Sequence, residues 1–126
     1  MKNAMPSQRQ LRMGEQVRHV LSETLRRGKF HDPILMDTSL LSVNEVRMTP
    51  DLRHAKAYVS LLHGENLPEV LEALNRAAAY FQSELNRKID AKFTPKISFV
   101  EDIIQGEVNR LEEIFHNLPK AAAEDE

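Results

Sequence analysis

Apolar and polar residues follow a helical period over residues 66–91. Apolar side chains recur at steps of three and four, which places on one stripe of a helix the residues Val70, Leu71, Leu74, Ala77, Ala78, Phe81, Leu85 and Ile89. Asn66 is a favourable N-cap, Pro68 suits a first helical turn, and Glu69 completes a capping box. The pattern predicts one long helix, or two helices end to end, from Asn66 to Ala91.

A helical period also appears near both ends of the chain. Ser7 and Gln10 form a capping-box signal, and Gly28 is a typical helix stop, so residues 7–27 are predicted to form the first helix. Its apolar side comprises Leu11, Met13, Val17, Val20, Leu21, Thr24 and Leu25. The last helix is predicted over Gln105–Leu118, with an apolar face of Val108, Leu111, Ile114, Phe115 and Leu118.

Between the first two helices the apolar period changes to two, which is typical of strands. Ser39–Met48 and Arg53–Leu62 are joined by the short turn Thr49-Pro50-Asp51, so they are predicted to form an antiparallel hairpin. The alternation slips within the first strand, and a bulge near Asn44-Glu45 would restore it. Lys96–Val100 is predicted to be a third short strand.

This order of elements predicts an α+β domain with helices packed on a three-stranded sheet. The second strand places Ala55 and Ala57 on its inward face, where small side chains let a helix lie close. We divide the chain into a flexible leader (1–6), a folded domain (7–102), a C-terminal helix (103–118) and a disordered acidic tail (119–126).

Composition narrows the classes of function. The 126 residues suffice for one domain and include no Cys, which excludes a disulfide framework and a thiol nucleophile. The four glycines and five histidines lack the spacing of a phosphate loop or a metal site. No apolar run is long enough for a membrane span or a secretory signal. We therefore expect a cytoplasmic protein that is not an enzyme and has no metal, cofactor, small-molecule substrate or membrane partner.

The net charge of −2 hides an asymmetry along the chain. Residues 1–96 hold 15 basic and 11 acidic side chains, a balance of +4, whereas residues 97–126 hold 2 and 8, a balance of −6. Basic side chains that neutralise phosphates supply most non-specific affinity for nucleic acid. The candidate RNA contacts are Arg76, Arg87, Lys88, Lys92 and Lys96, followed by Arg9, Arg12, Arg26 and Arg27 of the first helix.

Each of these signals has a plainer explanation. A charged helix face is usually a solvated face, and Arg26 and Arg27 also suit the negative end of a helix dipole. Tyr58, on the outward side of the second strand, could stack on a base, although a tyrosine there is more often a cross-strand packing residue.

The hairpin segment resembles a known family. Residues 43–60 read VNEVRMTPDLRHAKAYVS, and an Asp-Leu turn followed by Ala-Lys-x-Tyr-Val-Ser is similar to the signature segment of bacterial ribosome-binding factor A. The first helix, with Arg9, Val17 and Leu21, and residues 94–102 (TPKISFVED) also resemble this family. The resemblance covers roughly residues 7–118.

This resemblance implies a KH-like domain of type II, in the order helix, strand, strand, helix, helix, strand, with a mixed three-stranded sheet and an added C-terminal helix. It implies a partner, the small (30S) ribosomal subunit, and a role in maturation of its 16S rRNA near the 5′ end, including at low temperature. The family has an Ala-x-Gly kink between two helices, and Ala77, Ala78 and Ala79 occupy the matching positions here. We predict a kink at these residues, although Ala79 replaces the glycine.

Two functional hypotheses follow. The first is a monomeric ribosome assembly factor whose basic residues contact phosphates of folded ribosomal RNA. The second is a protein-docking adaptor that acts through the acidic C-terminal helix and tail.

Overall fold

The computed structural model describes residues 5–27, 30–35, 38, 40–62 and 66–116. Its elements are α1 (Gln8–Arg27), a 3₁₀ turn (Pro33–Leu35), β1 (Leu41–Met48), β2 (His54–Leu61), α2 (Leu67–Arg76), α3 (Ala78–Lys88), β3 (Lys96–Glu101) and α4 (Ile103–His116). The predicted α+β fold class and the order of its elements are confirmed. Most of the predicted leader and all of the predicted tail lie outside the described residues.

The sheet is mixed, as expected for a type II KH-like domain. Its strands lie in the order β1-β2-β3, with β1 antiparallel and β3 parallel to β2. The register of β1 against β2 shifts between Val43 and Glu45, which is the predicted bulge. Because of this shift, Val43 and Met48 both reach the buried face of the sheet despite their opposite parity.

Three helices cover one face of this sheet. Helix α1 packs on β1 and β2, and α2 and α3 pack on β3. Between them the inward face of β2 is almost fully inaccessible to solvent at Ala55, Ala57 and Val59. Helix α1 lies close to β1 at Gly14, where an added Cβ would lie 2.7 Å from the carbonyl oxygen of Val46. Val46 is paired with Ala57 in the neighbouring strand. Small side chains in both layers thus let α1 lie against the backbone of the sheet.

Helix capping was predicted correctly at α1 and incorrectly at α2. Ser7 and Gln10 exchange reciprocal hydrogen bonds of 2.9 and 3.1 Å, so the capping box before α1 is confirmed. Asn66 is the N-cap of α2, but its side chain makes no capping hydrogen bond, and the predicted capping box with Glu69 is wrong. The backbone at Asn66 has φ −103° and ψ 30°, not the extended conformation usual for a capping residue.

Of the two forms predicted for residues 66–91, the structure has two helices end to end, and they meet inside the alanine run where the kink was predicted. Ala77 has φ −91° and ψ 12°, and it separates α2 from α3. Helix α2 packs on β3 and the 3₁₀ turn, whereas α3 packs on α1 and β3. These different supports outweigh the preference of alanine for a continuous helix, about 1 kcal/mol relative to glycine. Helix α3 also ends at Lys88, before the predicted Ala91, because Ile89 is extended.

Helix α4 differs from its prediction in both start and environment. It begins at Ile103, two residues before Gln105, because the Asp102 carboxylate accepts a 3.0 Å hydrogen bond from the Gln105 N–H and caps it. None of its residues is fully buried. The predicted apolar face, except Leu118, which lies outside the described residues, is exposed to solvent.

We predict that Gly14→Ala destabilises the fold. Alanine is the better helix former by about 1 kcal/mol, but its Cβ would overlap the Val46 carbonyl oxygen at 2.7 Å. Forcing extra volume into a packed contact typically costs about 1–3 kcal/mol. Urea unfolding monitored by circular dichroism should therefore give a lower free energy of unfolding than in the wild type.

Gly106→Ala in α4 is the matched control. The nearest atom to an added Cβ there is a side-chain oxygen of Glu101 at 3.6 Å, an ordinary contact. This variant should be as stable as the wild type or more stable, by up to about 1 kcal/mol. Equal effects of the two substitutions would contradict the close approach of α1 to β1.

Candidate nucleic-acid interface

Two of the predicted RNA contacts hold a buried carboxylate. The Glu84 side chain accepts from the guanidinium groups of Arg27 and Arg87 at 2.7 and 2.6 Å, and Glu84 is only 9% exposed. Arg27 ends α1 and Glu84 lies in α3, so this cluster joins the two helices. Removing one partner of such a cluster leaves a buried charge poorly compensated. Arg27 and Arg87 therefore have a structural role in the free protein.

Arg76 and Arg26 also have acidic partners within the chain. Arg76 donates to Asp32 at 2.8 Å and ties the end of α2 to the 3₁₀ turn, while Arg26 pairs with Glu23 one turn away in α1. Arg76 and the Ile34 N–H hold the pKa of Asp32 below its usual value. Exposed ion pairs contribute little stability, so Arg76 and Arg26 can leave their acidic partners at little cost, whereas Arg27 and Arg87 cannot.

Arg9, Arg12 and Lys92 meet in one groove of about 390 Å³. The first turns of α1, the β1–β2 turn and the segment after α3 form its walls. Within the described part of the chain, no carboxylate forms an ion pair with any of these three cations. The groove is also lined by Met13, Gln16, Asp51, Leu52, Asp90, Ala91 and Phe93.

Two residues beside these cations were missed by the sequence argument. The Arg53 guanidinium carbon lies 4.4 Å from the ring centroid of Phe93, and the Lys92 Nζ lies 5.6 Å from it. Phe93 is 48% exposed. Both distances are in the range of cation–π contacts, so the Phe93 ring, which lines the groove, holds Lys92 at the groove and Arg53 beside it. The sequence signal that could have identified this contact is an aromatic residue, Phe93, between Lys92 and Lys96 in a polar loop.

The β1–β2 turn has a strained residue at the groove. Leu52 has a φ of 62°, in the left-handed region that non-glycine residues seldom adopt. Asp51 accepts hydrogen bonds from the Thr49 hydroxyl at 2.7 Å and the Arg53 N–H at 3.1 Å. These bonds hold the pKa of Asp51 below its usual value. Asp51 is thus a turn-forming residue that also fixes the backbone at Arg53.

The remaining predicted cations lie outside this groove. Lys88 borders a second groove of about 420 Å³ between α1 and the end of α3, with Glu15, His19 and Asp90 nearby. Lys96 is exposed at the start of β3 and pairs in register with His54 of β2. The structure thus gathers three of the nine predicted cations in one place and gives four others acidic partners.

The outward face of the sheet explains the position of Tyr58. Its half-buried ring lies under Arg47 of the neighbouring strand, 5.4 Å from the guanidinium carbon. Glu45 binds the same arginine at 2.8 Å. In the free protein this tyrosine therefore makes the cross-strand contact that was the plainer of its two explanations.

The described residues contain neither a metal site nor a membrane span. In the described portion of the chain, no three histidine or acidic residues are grouped closely enough to hold a metal ion. None of the described helices is long and apolar enough to cross a membrane.

Comparison with known proteins matches this chain to a family. The family model for ribosome-binding factor A matches residues 9–115. The ribosome-binding factor A of Phenylobacterium zucineum is 46% identical over 110 residues, which cover 87% of this chain and 75% of that protein. The ribosome-binding factor A of Paramagnetospirillum magneticum is 37% identical over 127 residues, which cover 96% of this chain and 89% of that protein.

A crystal structure and a fitted homology model of the same family share the fold. The crystal structure of ribosome-binding factor A from Thermus thermophilus superposes with a TM-score of 0.61 at 26% identity, over 73% of this chain and 94% of that one. A homology model of the Thermus thermophilus factor, fitted into a cryo-electron-microscopy map of a 30S complex, superposes with a TM-score of 0.58 at 25% identity. The match covers 72% of this chain and 92% of that one.

We predict that Arg76→Gln raises the pKa of the Asp32 carboxyl toward its usual value of about 3.9. The Arg76 guanidinium is the main cause of the lowered pKa, and only the Ile34 N–H would remain. Because the pKa of Asp32 is lowered in the folded state, the Arg76–Asp32 pair stabilises the fold at pH values above the usual pKa of the carboxyl. This stabilisation is lost as the pH falls through the pKa of Asp32 in the folded protein. Nuclear magnetic resonance titration of the carboxyl carbon measures the change.

Arg26→Gln serves as the control for this titration, since Arg26 pairs with Glu23 and leaves Asp32 untouched. An unchanged Asp32 midpoint in Arg76→Gln would show that the ion pair does not form in solution.

Proposed function

This chain belongs to the ribosome-binding factor A family, and from this we propose that it binds the free small ribosomal subunit through contacts with 16S rRNA. We further propose that it supports late maturation of that RNA, including processing near the 5′ end and growth at low temperature. It acts in this role without catalysis or a cofactor, as a monomer in the cytoplasm. The small-subunit complex of the Thermus thermophilus relative supports the choice of partner.

The groove formed by Arg9, Arg12 and Lys92 is the observation that carries this proposal. Its cations have no acidic partner among the described residues, so binding a phosphate costs no internal ion pair. Arg53 adds a fourth positive charge, held over Phe93. A folded polyanion is attracted by such a local cluster even though the whole chain has a net charge of −2.

The groove favours shape and backbone recognition over recognition of sequence. Lysine and arginine bind phosphates, which set position and orientation but do not identify bases. Asp51 and Asp90 line the same groove and repel phosphates from their part of it. Their carboxylates can instead accept hydrogen bonds from ribose 2′-hydroxyl groups, which RNA has and DNA lacks. This arrangement favours a ribose-phosphate segment that lies across the groove with phosphates toward the cations.

The remaining predicted contacts have graded roles in this proposal. Lys88 and Lys96 can reach RNA from adjacent surfaces, and Arg76 and Arg26 can do so by exchanging one exposed ion pair for another. Arg27 and Arg87 are the weakest candidates, since they compensate the buried Glu84 carboxylate. An adaptor role for α4 remains compatible with this proposal because it uses a different surface.

We predict that Arg9→Ala/Arg12→Ala weakens binding to purified free small subunits at least tenfold. Each lost phosphate contact should also reduce the slope of log affinity against log salt by roughly 0.7–0.9. Sedimentation of the full chain with free subunits over a range of salt concentrations measures both effects. Intact ribosomes provide the specificity comparison and should bind less protein.

Arg18→Ala/Arg47→Ala is the control, because it removes the same charge from outside the groove. Arg18 and Arg47 are paired with Glu15 and Glu45, respectively, and neither is a proposed RNA contact. The affinity of this double variant for free small subunits should fall by no more than about threefold. Equal losses in the two double variants would mean that net charge, and not the groove, drives binding.

The maturation role is tested separately in cells. Depletion of the protein should increase 16S rRNA with an unprocessed 5′ end, and more strongly at low temperature. Wild-type protein should reverse this, whereas Arg9→Ala/Arg12→Ala should not. Normal processing in depleted cells at both temperatures would contradict this part of the proposal while leaving subunit binding intact.

A further inference from the structure

Helix α4 turns its polar side toward the sheet and its apolar side toward solvent. The half-buried residues on its inner side are Gln105, Gly106, Asn109 and Glu113. Ile104, Val108, Leu111 and Phe115 are 78%, 41%, 53% and 65% exposed. This is the reverse of the usual orientation of a helix on the surface of a domain.

The exposed apolar residues form one continuous stripe. Ile104, Val108, Leu111 and Phe115 follow at steps of four, three and four, so they lie along one side of the helix. Such spacing is typical of a helix that inserts its apolar side into a groove of another protein. Single exposed apolar residues are common on proteins, but a contiguous stripe marks an interaction surface.

A polar network prevents this stripe from turning inward. The Asn44 side-chain amide donates to the Ser60 hydroxyl at 3.0 Å and to the Asp102 carboxylate at 3.1 Å. The Asp102 N–H donates to the Val59 carbonyl at 2.7 Å, so the residue before α4 is fixed to β2. Rotating the stripe toward the sheet would require this network to break and would bury the Asn44 and Ser60 polar groups against apolar side chains.

Acidic side chains border the stripe on both sides. At 100° per residue, Glu107 and Glu112 lie about 70° from the centre of the stripe in opposite directions. Arg110 pairs with Glu107 at 2.9 Å and is the sole lysine or arginine of α4. Because Arg110 compensates Glu107, the acidic border left without an ion pair in the described part of the chain is the side of Glu112, and basic groups along that side of an apolar groove would complement the stripe.

This charge pattern argues against three other occupants. RNA would place phosphates next to carboxylates, and RNA offers little apolar surface for four such side chains. A helix that lies on an anionic membrane has basic residues on its polar side, whereas α4 has mainly glutamates. Two copies packed stripe to stripe would bring acidic borders together, because a symmetric interface uses the same patch twice.

We propose that the α4 stripe docks into an apolar, basic-bordered groove on a protein component of the small ribosomal subunit. The proposal rests on the proposed function for the identity of the assembly, but it adds a second, protein-directed contact. The groove of Arg9, Arg12 and Lys92 then binds RNA, and the α4 stripe binds a protein of the subunit. With both contacts, this chain distinguishes a particle that already contains that subunit protein from protein-free RNA.

Site-specific photo-crosslinking to purified free small subunits tests the proposal in the full chain. A photoreactive phenylalanine analogue replaces Leu111 in one sample and, in another, Gln16, an exposed residue that lines the groove of Arg9, Arg12 and Lys92. Irradiation at position 111 should give an adduct that survives ribonuclease and contains a subunit protein. Irradiation at position 16 should give an RNA adduct, which tests the proposed function independently.

Each outcome at position 111 decides the question. An adduct with RNA, an adduct with a second copy of this chain, or no adduct while position 16 crosslinks to RNA would overturn the α4 proposal and leave the RNA-binding function standing. If the wild-type chain does not bind small subunits at all, both proposals are overturned.

Affinity measurements give a second readout. Leu111→Gln/Phe115→Gln should retain the helical circular dichroism spectrum, because both side chains are exposed, and should bind free small subunits at least tenfold more weakly. Its affinity for protein-free 16S rRNA should stay within twofold of the wild type. Leu11→Gln is the control, since Leu11 is 54% exposed on α1 and Leu111 is 53% exposed on α4. Equal affinities of the double variant and the wild type for subunits would overturn the proposal.

Discussion

The close contact between α1 and the backbone of β1 determines where the candidate interface forms. Gly14 allows this contact, and the Gln10 side-chain amide reinforces it with a 3.0 Å hydrogen bond to the Met48 carbonyl. Met48 is the last residue of β1, directly before the turn that carries Asp51 and Leu52. Since Arg9 and Arg12 lie within one turn of Gln10, the same contact brings them to the hairpin turn. The basic groove is therefore a consequence of helix-on-sheet packing.

The positive charges of this chain divide into structural and available groups. The buried Glu84 carboxylate requires compensation, and Arg27 and Arg87 supply it while they join α1 to α3. The cations of the groove have no comparable task in the described structure. Burial of the acidic partner, more than the number of basic residues, therefore decides which cations are free to meet a phosphate.

The basic groove and the α4 stripe lie at separate parts of the domain and have opposite chemistry. The groove is formed by α1, the β1–β2 turn and the segment after α3. The start of α4 lies elsewhere, where Asp102 accepts a hydrogen bond from Asn44, which also donates to Ser60. One surface is positively charged and the other is apolar with acidic borders. A ribonucleoprotein particle offers a complement to each, which neither RNA nor protein alone would do.

The sequence by itself determined the elements, their order, the capping box at Ser7, the bulge beside Asn44 and the family resemblance. These features depend on residue period and on contacts between near neighbours, which a sequence displays directly. The tertiary structure alone decided which cations are paired, because Arg27 and Glu84 are 57 residues apart and Arg76 and Asp32 are 44 apart. It also decided that the apolar side of α4 faces solvent. Periodicity identifies an apolar side, but only the neighbouring elements determine whether anything covers it.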